Sequence, residues 1–292
     1  MGIWTAQLDF QPIARVRDAV QELDSLGYES LWVGENVGRE PLSQAAILLA
    51  ATEKLVIATG VANIWARDPL AMAAAQQTLT EAYPRRFILG LGVSHARLVN
   101  DIRGLHYRKP VDTLRNYLLA MDIVVSRYRA VKAENTTRIL AALGPQMLAL
   151  ANELSCGVHS YLVPPEHTAG ARQVLGLEKL LIVEQAVVLE KDRRTAREIA
   201  RRHLHRYLGL PNYATNLRRL GFAEADLAGD GSDRLIDSLV AWGDETAIAD
   251  RIAEHHQAGA TQVCIQVLTP DFHALPMEQW RRLAAINAGM QN

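Results

Sequence analysis

Residues 55–96, LVIATGVANIWARDPLAMAAAQQTLTEAYPRRFILGLGVSHA, restrict the fold more than any other stretch of the chain. Two short β-branched and aliphatic runs, LVIATGV and FILGLGV, flank an apolar helical segment that Asp68 and Pro69 open as N-cap and first helical residue. Strand, helix, strand in that order is a βαβ unit, so the two strands pair in parallel. In parallel α/β folds a ligand sits beyond the carboxyl ends of the strands. That rule singles out Gly60, Val61, Asn63, Gly92, Ser94 and His95.

The same alternation runs through the rest of the sequence. Strands are expected to begin near Ile3, Leu31, Val56, Ile88, Ile139, His159, Leu181 and Val263, each followed by a helical pattern. Eight such repeats predict a closed (β/α)8 TIM barrel. The competing fold, an open doubly wound sheet, normally carries G-x-G-x-x-G after its first strand, and WTAQLDFQP has no glycine there. The barrel is expected to be one domain over residues 1–292, with two insertions. One is a charged, aperiodic loop at about 96–111, whose length suggests a lid; the other is a helical segment at about 192–258.

Charge narrows the partners. A net charge of -1 with a pI near 6.8 leaves no electrostatic footprint for nucleic acid. The opening MGIWTAQLDF lacks a basic n-region and apolar h-region, and no later run reaches the ~20 apolar residues of a membrane span, so a cytoplasmic protein with no membrane partner is expected. Cys156 and Cys264 are the only cysteines, Cys264 within the apolar run VCIQVL, and nothing in their spacing predicts a metal site.

Several residues carry two readings. His95, at a strand end, is either a contact to a bound ligand or a cap on the lid. Glu35 is either a catalytic carboxyl or a solvated loop residue. Asp68 and Pro69 read chiefly as a helix start, while Trp4 and Trp65 are either pocket walls or core. Glu184, inside LIVEQAVVL, requires a partner such as arginine, or a proton. RRTAREIARRHLHR reads as a solvated helical face rather than a basic binding tract.

Taken together, LWVGEN, VIATGVANIWARDP, RFILGLGVSHA, HYRKP and YLVPPEHTAGAR, in that order, resemble the luciferase-like monooxygenase superfamily, and within it the actinobacterial deazaflavin-dependent oxidoreductases. The resemblance runs from Gly2 to about Leu189. It implies a barrel that binds a flavin or the 5-deazaflavin coenzyme F420 at the carboxyl ends of its strands. It also implies a non-proline cis peptide at Gly60-Val61 supporting the ring. Asn36, Gly60, Val61, Asn63, Gly92, Ser94 and His159 would then contact the cofactor, and the turn Gly144, Pro145, Gln146, Met147 would hold its phosphate through backbone amides at a helix start. His95 and Glu35 are the candidate catalytic groups, because Asn36 cannot act as an acid or base. Relatives more often have an acidic residue, a tryptophan and a proline where this chain has Cys156, Val158 and Ser160.

The function this implies is hydride transfer between coenzyme F420 and a small organic substrate, by a homodimer. One alternative is an FMN-dependent monooxygenase served by a separate reductase, since the chain has no nicotinamide-binding fingerprint of its own. Another is a barrel that binds flavin without catalysis.

Overall fold

The computed structural model describes residues 1–290; residues 291 and 292 of the expected single unit lie outside the described residues. Eight parallel strands close into a barrel: β1 (Gly2–Thr5), β2 (Ser30–Val33), β3 (Val56–Thr59), β5 (Phe87–Gly92), β6 (Thr137–Ala141), β7 (Gly157–Ser160), β8 (Leu180–Val188) and β10 (Gln262–Val267). Closure comes from β10, which pairs with β8 on one side (Cys264 opposite Glu184) and with β1 on the other (Gly2 opposite Cys264). Each expected strand start falls in one of these eight. Two short strands are additional. β4 (Ala62–Asn63) continues β3 beyond a two-residue bulge, and β9 (Val240–Trp242) pairs with the end of β8.

Inside the barrel, Trp4, Trp32, Ala58, Ile139, Ile182 and Cys264 form one buried cluster. The alternate residues, among them Ile3, Leu31, Ile57, Leu89, Leu140, Leu181, Val263 and Ile265, face the surrounding helices in a second. This is the period-two division that a strand covered on both faces requires. The helices are α1 (Ile13–Ser25), α2 (Pro41–Ala51), α3 (Pro69–Ala82), α4 (Pro110–Ser126), α5 (Pro145–Leu154), α6 (Pro165–Leu175), α11 (Glu245–Gln257) and α12 (Met277–Met290). Proline at the first position of α2 to α6 has no N–H to waste and a φ already suited to a helix. Asp68 caps α3 as expected, its carboxylate accepting from the Ala71 amide at 3.0 Å.

The two insertions are more ordered than their sequences suggest. In the lid segment, Leu98–Ile102 winds into a single π-helical turn anchored by buried Val99. The second insertion is helical only in part: α7 (Arg193–Leu208), α8 (Pro211–Arg219), α9 (Glu224–Leu227) and α10 (Asp233–Leu239) precede β9. These helices bury their own apolar cluster, including Leu204, Leu208, Tyr213, Leu217 and Leu235, against Ala186 and Val188 of β8. The arginines of α7 form a solvated, ion-paired face, Arg197 meeting Asp233 and Asp237 and Arg201 meeting Asp233. Among the described residues no helix is long and apolar enough to cross a membrane.

Candidate active site

The carboxyl end of β3 is shaped by glycines on its neighbour. Thr59 ends the strand by bonding to Gly90 twice: its hydroxyl donates to the Gly90 carbonyl at 2.7 Å and accepts from the Gly90 amide at 2.9 Å. A Cβ on Gly90 would lie 2.0 Å from the Thr59 carbonyl oxygen, and one on Gly92 would lie 2.5 Å from Val61 Cγ2. Only glycine allows that approach. Between the two contacts the chain bulges at Gly60-Val61, whose peptide bond is cis, and rejoins β5 as β4. Trp4 spans the adjoining gap, with its indole Nε1 donating to the Gly60 carbonyl at 2.7 Å.

Glu35, at the end of β2, is the hub of this mouth. Its Oε2 accepts from the Asn63 amide at 2.7 Å and from Arg67 Nη1 at 2.9 Å; its Oε1 accepts from Arg67 Nη2 at 2.9 Å and Arg103 Nη2 at 3.1 Å. The side chain is 5% exposed, so the bidentate pair is well shielded from solvent. Arg67 also meets Glu40 at 3.0 Å. Burial alone would lower the Arg67 pKa, but the hydrogen bonds and charge of Glu35 more than offset it, leaving the net shift upward. A carboxylate engaged through both oxygens ties the end of β2 to β4, to Arg67 and to the lid. Through Arg103 the lid is tied directly to the strand ends, and Tyr107 reinforces the tie by packing on Trp65 with ring centroids 5.8 Å apart. Asn36, one residue on, is exposed at the rim.

Ser94 takes a left-handed φ of 58° as the chain leaves β5, and this turns His95 toward the second insertion. The His95 ring lies 5.8 Å from Tyr213 and its side chain bonds Asn212. Burial lowers its pKa, partly offset by that bond, so a neutral imidazole faces the mouth. Opposite, Tyr161 follows β7 directly and packs edge-on against Trp4 at 5.1 Å. Its hydroxyl donates to Gln266 Oε1 at 2.7 Å and lies 2.9 Å from the Tyr207 hydroxyl. Ala6, Gly34, Gly60, Val61, Ser94, Ala141, Tyr161 and Tyr207 are all half-buried, a row of partly exposed residues across the strand ends that lines the candidate cleft.

The turn at Gly144–Met147 forms the next part of the rim, with Gly144 as N-cap of α5. A Cβ on Gly144 would stand 2.8 Å from Arg219 Nη1, so a guanidinium from α8 overhangs the positive end of α5.

His159 does not reach this cleft. Its ring is 2% exposed, 4.7 Å from Trp32 inside the barrel, and burial depresses its pKa to about 3. The expected cofactor contact is therefore corrected to a neutral, space-filling role. Glu184 lies in the same interior. Its Oε2 accepts from the Leu162 amide at 2.9 Å, no arginine pairs with it among the described residues, and burial raises its pKa to about 8. Of the alternatives open from sequence, a proton is the one realised. Arg103, Tyr161, Tyr207, Tyr213 and Arg219 were not singled out from sequence. Tyr161 alone had a local signal, its place directly after a strand.

The profile of the luciferase-like monooxygenase family matches residues 2–262. A Mycobacterium tuberculosis protein named as a coenzyme F420-dependent oxidoreductase is 30% identical over 57% of this chain and 45% of its own length. The chain thus spans about half the length of this and another curated relative it matches. A 5,10-methylenetetrahydromethanopterin reductase of Archaeoglobus fulgidus is 26% identical over 84% of this chain and 86% of that one. An F420-dependent secondary alcohol dehydrogenase, solved with an F420-acetone adduct, superposes with a TM-score of 0.78 at 14% identity, covering 98% of this chain and 97% of that chain. At that identity the likeness establishes the barrel alone.

Proposed function

The chain belongs to the luciferase-like monooxygenase family, and from that premise we propose that it is an oxidoreductase using coenzyme F420 to exchange a hydride with a small, uncharged organic substrate. The family uses either F420 or FMN. The reading for the deazaflavin is supported by the names of the sequence relatives, which are F420-dependent or act as reductases.

The observation that carries a ring-and-phosphate cofactor is the fit of the cleft. Gly34, Gly60 and Gly92 keep its floor low, and Cβ atoms there would meet Trp4 or Val61 at 2.5–3.1 Å. Asn63 Nδ2, buried beside the bulge, is a donor without a partner. At the rim, the amides that open α5 face outward beneath Arg219, a donor set suited to a phosphate. On this reading Gly60, Val61, Asn63, Gly92 and Ser94 seat the ring, and the amides of Gly144, Gln146 and Met147 hold the phosphate on a turn whose shape Pro145 fixes. When bound, the deazaflavin supplies or accepts the hydride. His95, neutral and at the mouth, hydrogen-bonds to ring or substrate, while Glu35 holds β2, β4 and the lid in register.

Equilibrium binding of F420 and, in parallel, FMN, followed by fluorescence and calorimetry, tests the proposal. Tight F420 binding with weak FMN binding is expected. Preference for FMN would replace hydride transfer by an oxygen-dependent monooxygenation that draws on a separate reductase. Failure to bind either would overturn the cofactor assignment.

A further inference from the structure

We propose that the Tyr207 hydroxyl, set by Tyr161 and Gln266, receives the carbonyl oxygen of the substrate, and that the substrates are neutral, largely apolar carbonyl compounds. This rests on the oxidoreductase reading above for what is done to the carbonyl, but the binding stands on its own geometry. Gln266 is the inward residue next to the end of β10 and is buried. Tyr161 bonds to it at 2.7 Å and to Tyr207 at 2.9 Å, so three residues from β10, the β7 loop and α7 form one line across the mouth. Trp4 connects the line to the bulge, touching Tyr161 with its ring and the Gly60 carbonyl with its Nε1.

Counting hydrogens shows what the line does. Tyr161 has one hydroxyl proton. While it goes to Gln266 Oε1, Tyr207 donates to Tyr161 and turns only lone pairs to the cleft. If the Gln266 amide turns over, its NH2 donates to Tyr161, Tyr161 donates to Tyr207, and the Tyr207 proton is released toward the cleft. Amide oxygen and nitrogen are nearly the same size, so the two arrangements fit one space. A ligand carbonyl selects the second.

The surroundings set the substrate class. Tyr213 packs edge-on against Tyr207 at 5.2 Å, and His203 stands 5.2 Å from it on the other side. Burial depresses the His203 pKa to about 3 and keeps all three tyrosines protonated, so the ring cluster is neutral. Arg206, the neighbour of Tyr207, is stacked over Phe272 at 4.2 Å, and Glu35 is committed to Arg67 and Arg103. Arg206 acts on Tyr207 and His203 only through space, Glu184 is protonated, and among the described residues no charged side chain is hydrogen-bonded to the three tyrosines, so the line offers a neutral donor rather than a counter-ion.

The test uses 2-cyclohexen-1-one and, as a charged control of similar size, cyclohexanecarboxylate, with the full chain alone and with F420. Calorimetry gives affinity, and infrared difference spectroscopy gives the carbonyl stretch of the bound enone. In Tyr207→Phe the band is expected to move to higher frequency, toward its position without a hydrogen bond, and affinity to fall about fivefold to tenfold. Gln266→Met removes the acceptor that holds the Tyr161 proton, so Tyr161 donates to Tyr207 and the enone band is expected to stay at its native frequency or fall below it; this variant serves if Tyr207→Phe fails to fold by circular dichroism. An unchanged band in Tyr207→Phe, a band moved to higher frequency in Gln266→Met, no enone binding to the native chain, or stronger binding of the carboxylate overturns the proposal. Enone binding with the expected shift in a protein that ignores F420 keeps this inference and removes the deazaflavin reading instead.

Discussion

Glu184 keeps its proton because nothing in the barrel interior compensates a charge there. It accepts one amide hydrogen bond through Oε2, its Oε1 has no partner, and it is 1% exposed. A carboxyl whose pKa is raised on folding binds a proton the unfolded chain has already released. Its contribution to stability is therefore complete below the unfolded value near 4.5 and fades as pH rises toward about 8. Glu184→Gln should remove that dependence. Denaturant unfolding across pH 5 to 8 should show the native chain losing up to about 1.4 kcal/mol per pH unit relative to the variant. A constant difference would refute the buried acid. His159, His203 and His255, depressed from 6.5 to about 3, work in the opposite sense: the stability they secure is present above 6.5 and is lost as pH falls toward 3. At this scale the sequence was informative about composition and mute about contact. An acid within LIVEQAVVL is conspicuous on its own, whereas the pairing of Glu35 with Arg67 and Arg103 joins residues 32 and 68 positions apart and leaves no local pattern.

The β3 bulge and its glycine neighbours are the element on which the proposed ring site depends. Because the Thr59 carbonyl would lie 2.0 Å from a Cβ on Gly90, the backbone of two strands must part for any larger residue. Gly90→Ala is expected to lower stability by roughly 1–3 kcal/mol, read from thermal unfolding, as overpacked sites do. No change in melting would mean the strands are held apart by something other than this contact. The lid makes a parallel prediction. Arg103→Met keeps the Arg67 pair but frees residues 96–109, and amide exchange there should accelerate by at least tenfold while α3 and α4 stay protected. Equal protection would show that Val99 and Tyr107 suffice. The eight barrel strands were legible because short apolar runs of β-branched, aliphatic and aromatic residues between turn signals stand out from helical periodicity. β4 and β9 were not, since two or three residues pair only because a neighbouring strand end is already in place. The lid read as loop for a related reason: one buried side chain, Val99, anchors its turn.

For the whole molecule, the eight-strand order was readable while the composition of the mouth was not. Its walls come from β1, β2, β3, β5, β7, β10 and the α7–α8 insertion, and Tyr207 and Tyr213 lie in a helical stretch whose pattern serves its own core. A cofactor bridging these parts should stabilise all of them together. At a concentration 100 times its Kd, F420 is expected to add about 2.7 kcal/mol to unfolding, a rise in Tm on the order of 5 °C, and FMN much less. A single, undivided transition moving upward would confirm that mouth and barrel unfold as one; a shift confined to part of the melt would not. Closure of the barrel has a different consequence. β1 leaves the ribosome first, yet its second partner, β10, lies some 260 residues later in sequence, and β8 waits for the same strand. Until Gln262–Val267 is available the nascent sheet has two open edges, each a template for pairing with another chain. The barrel thus has its first seven strands made before the strand that closes it, and the shielding of those edges during translation is expected to govern its yield in a cell.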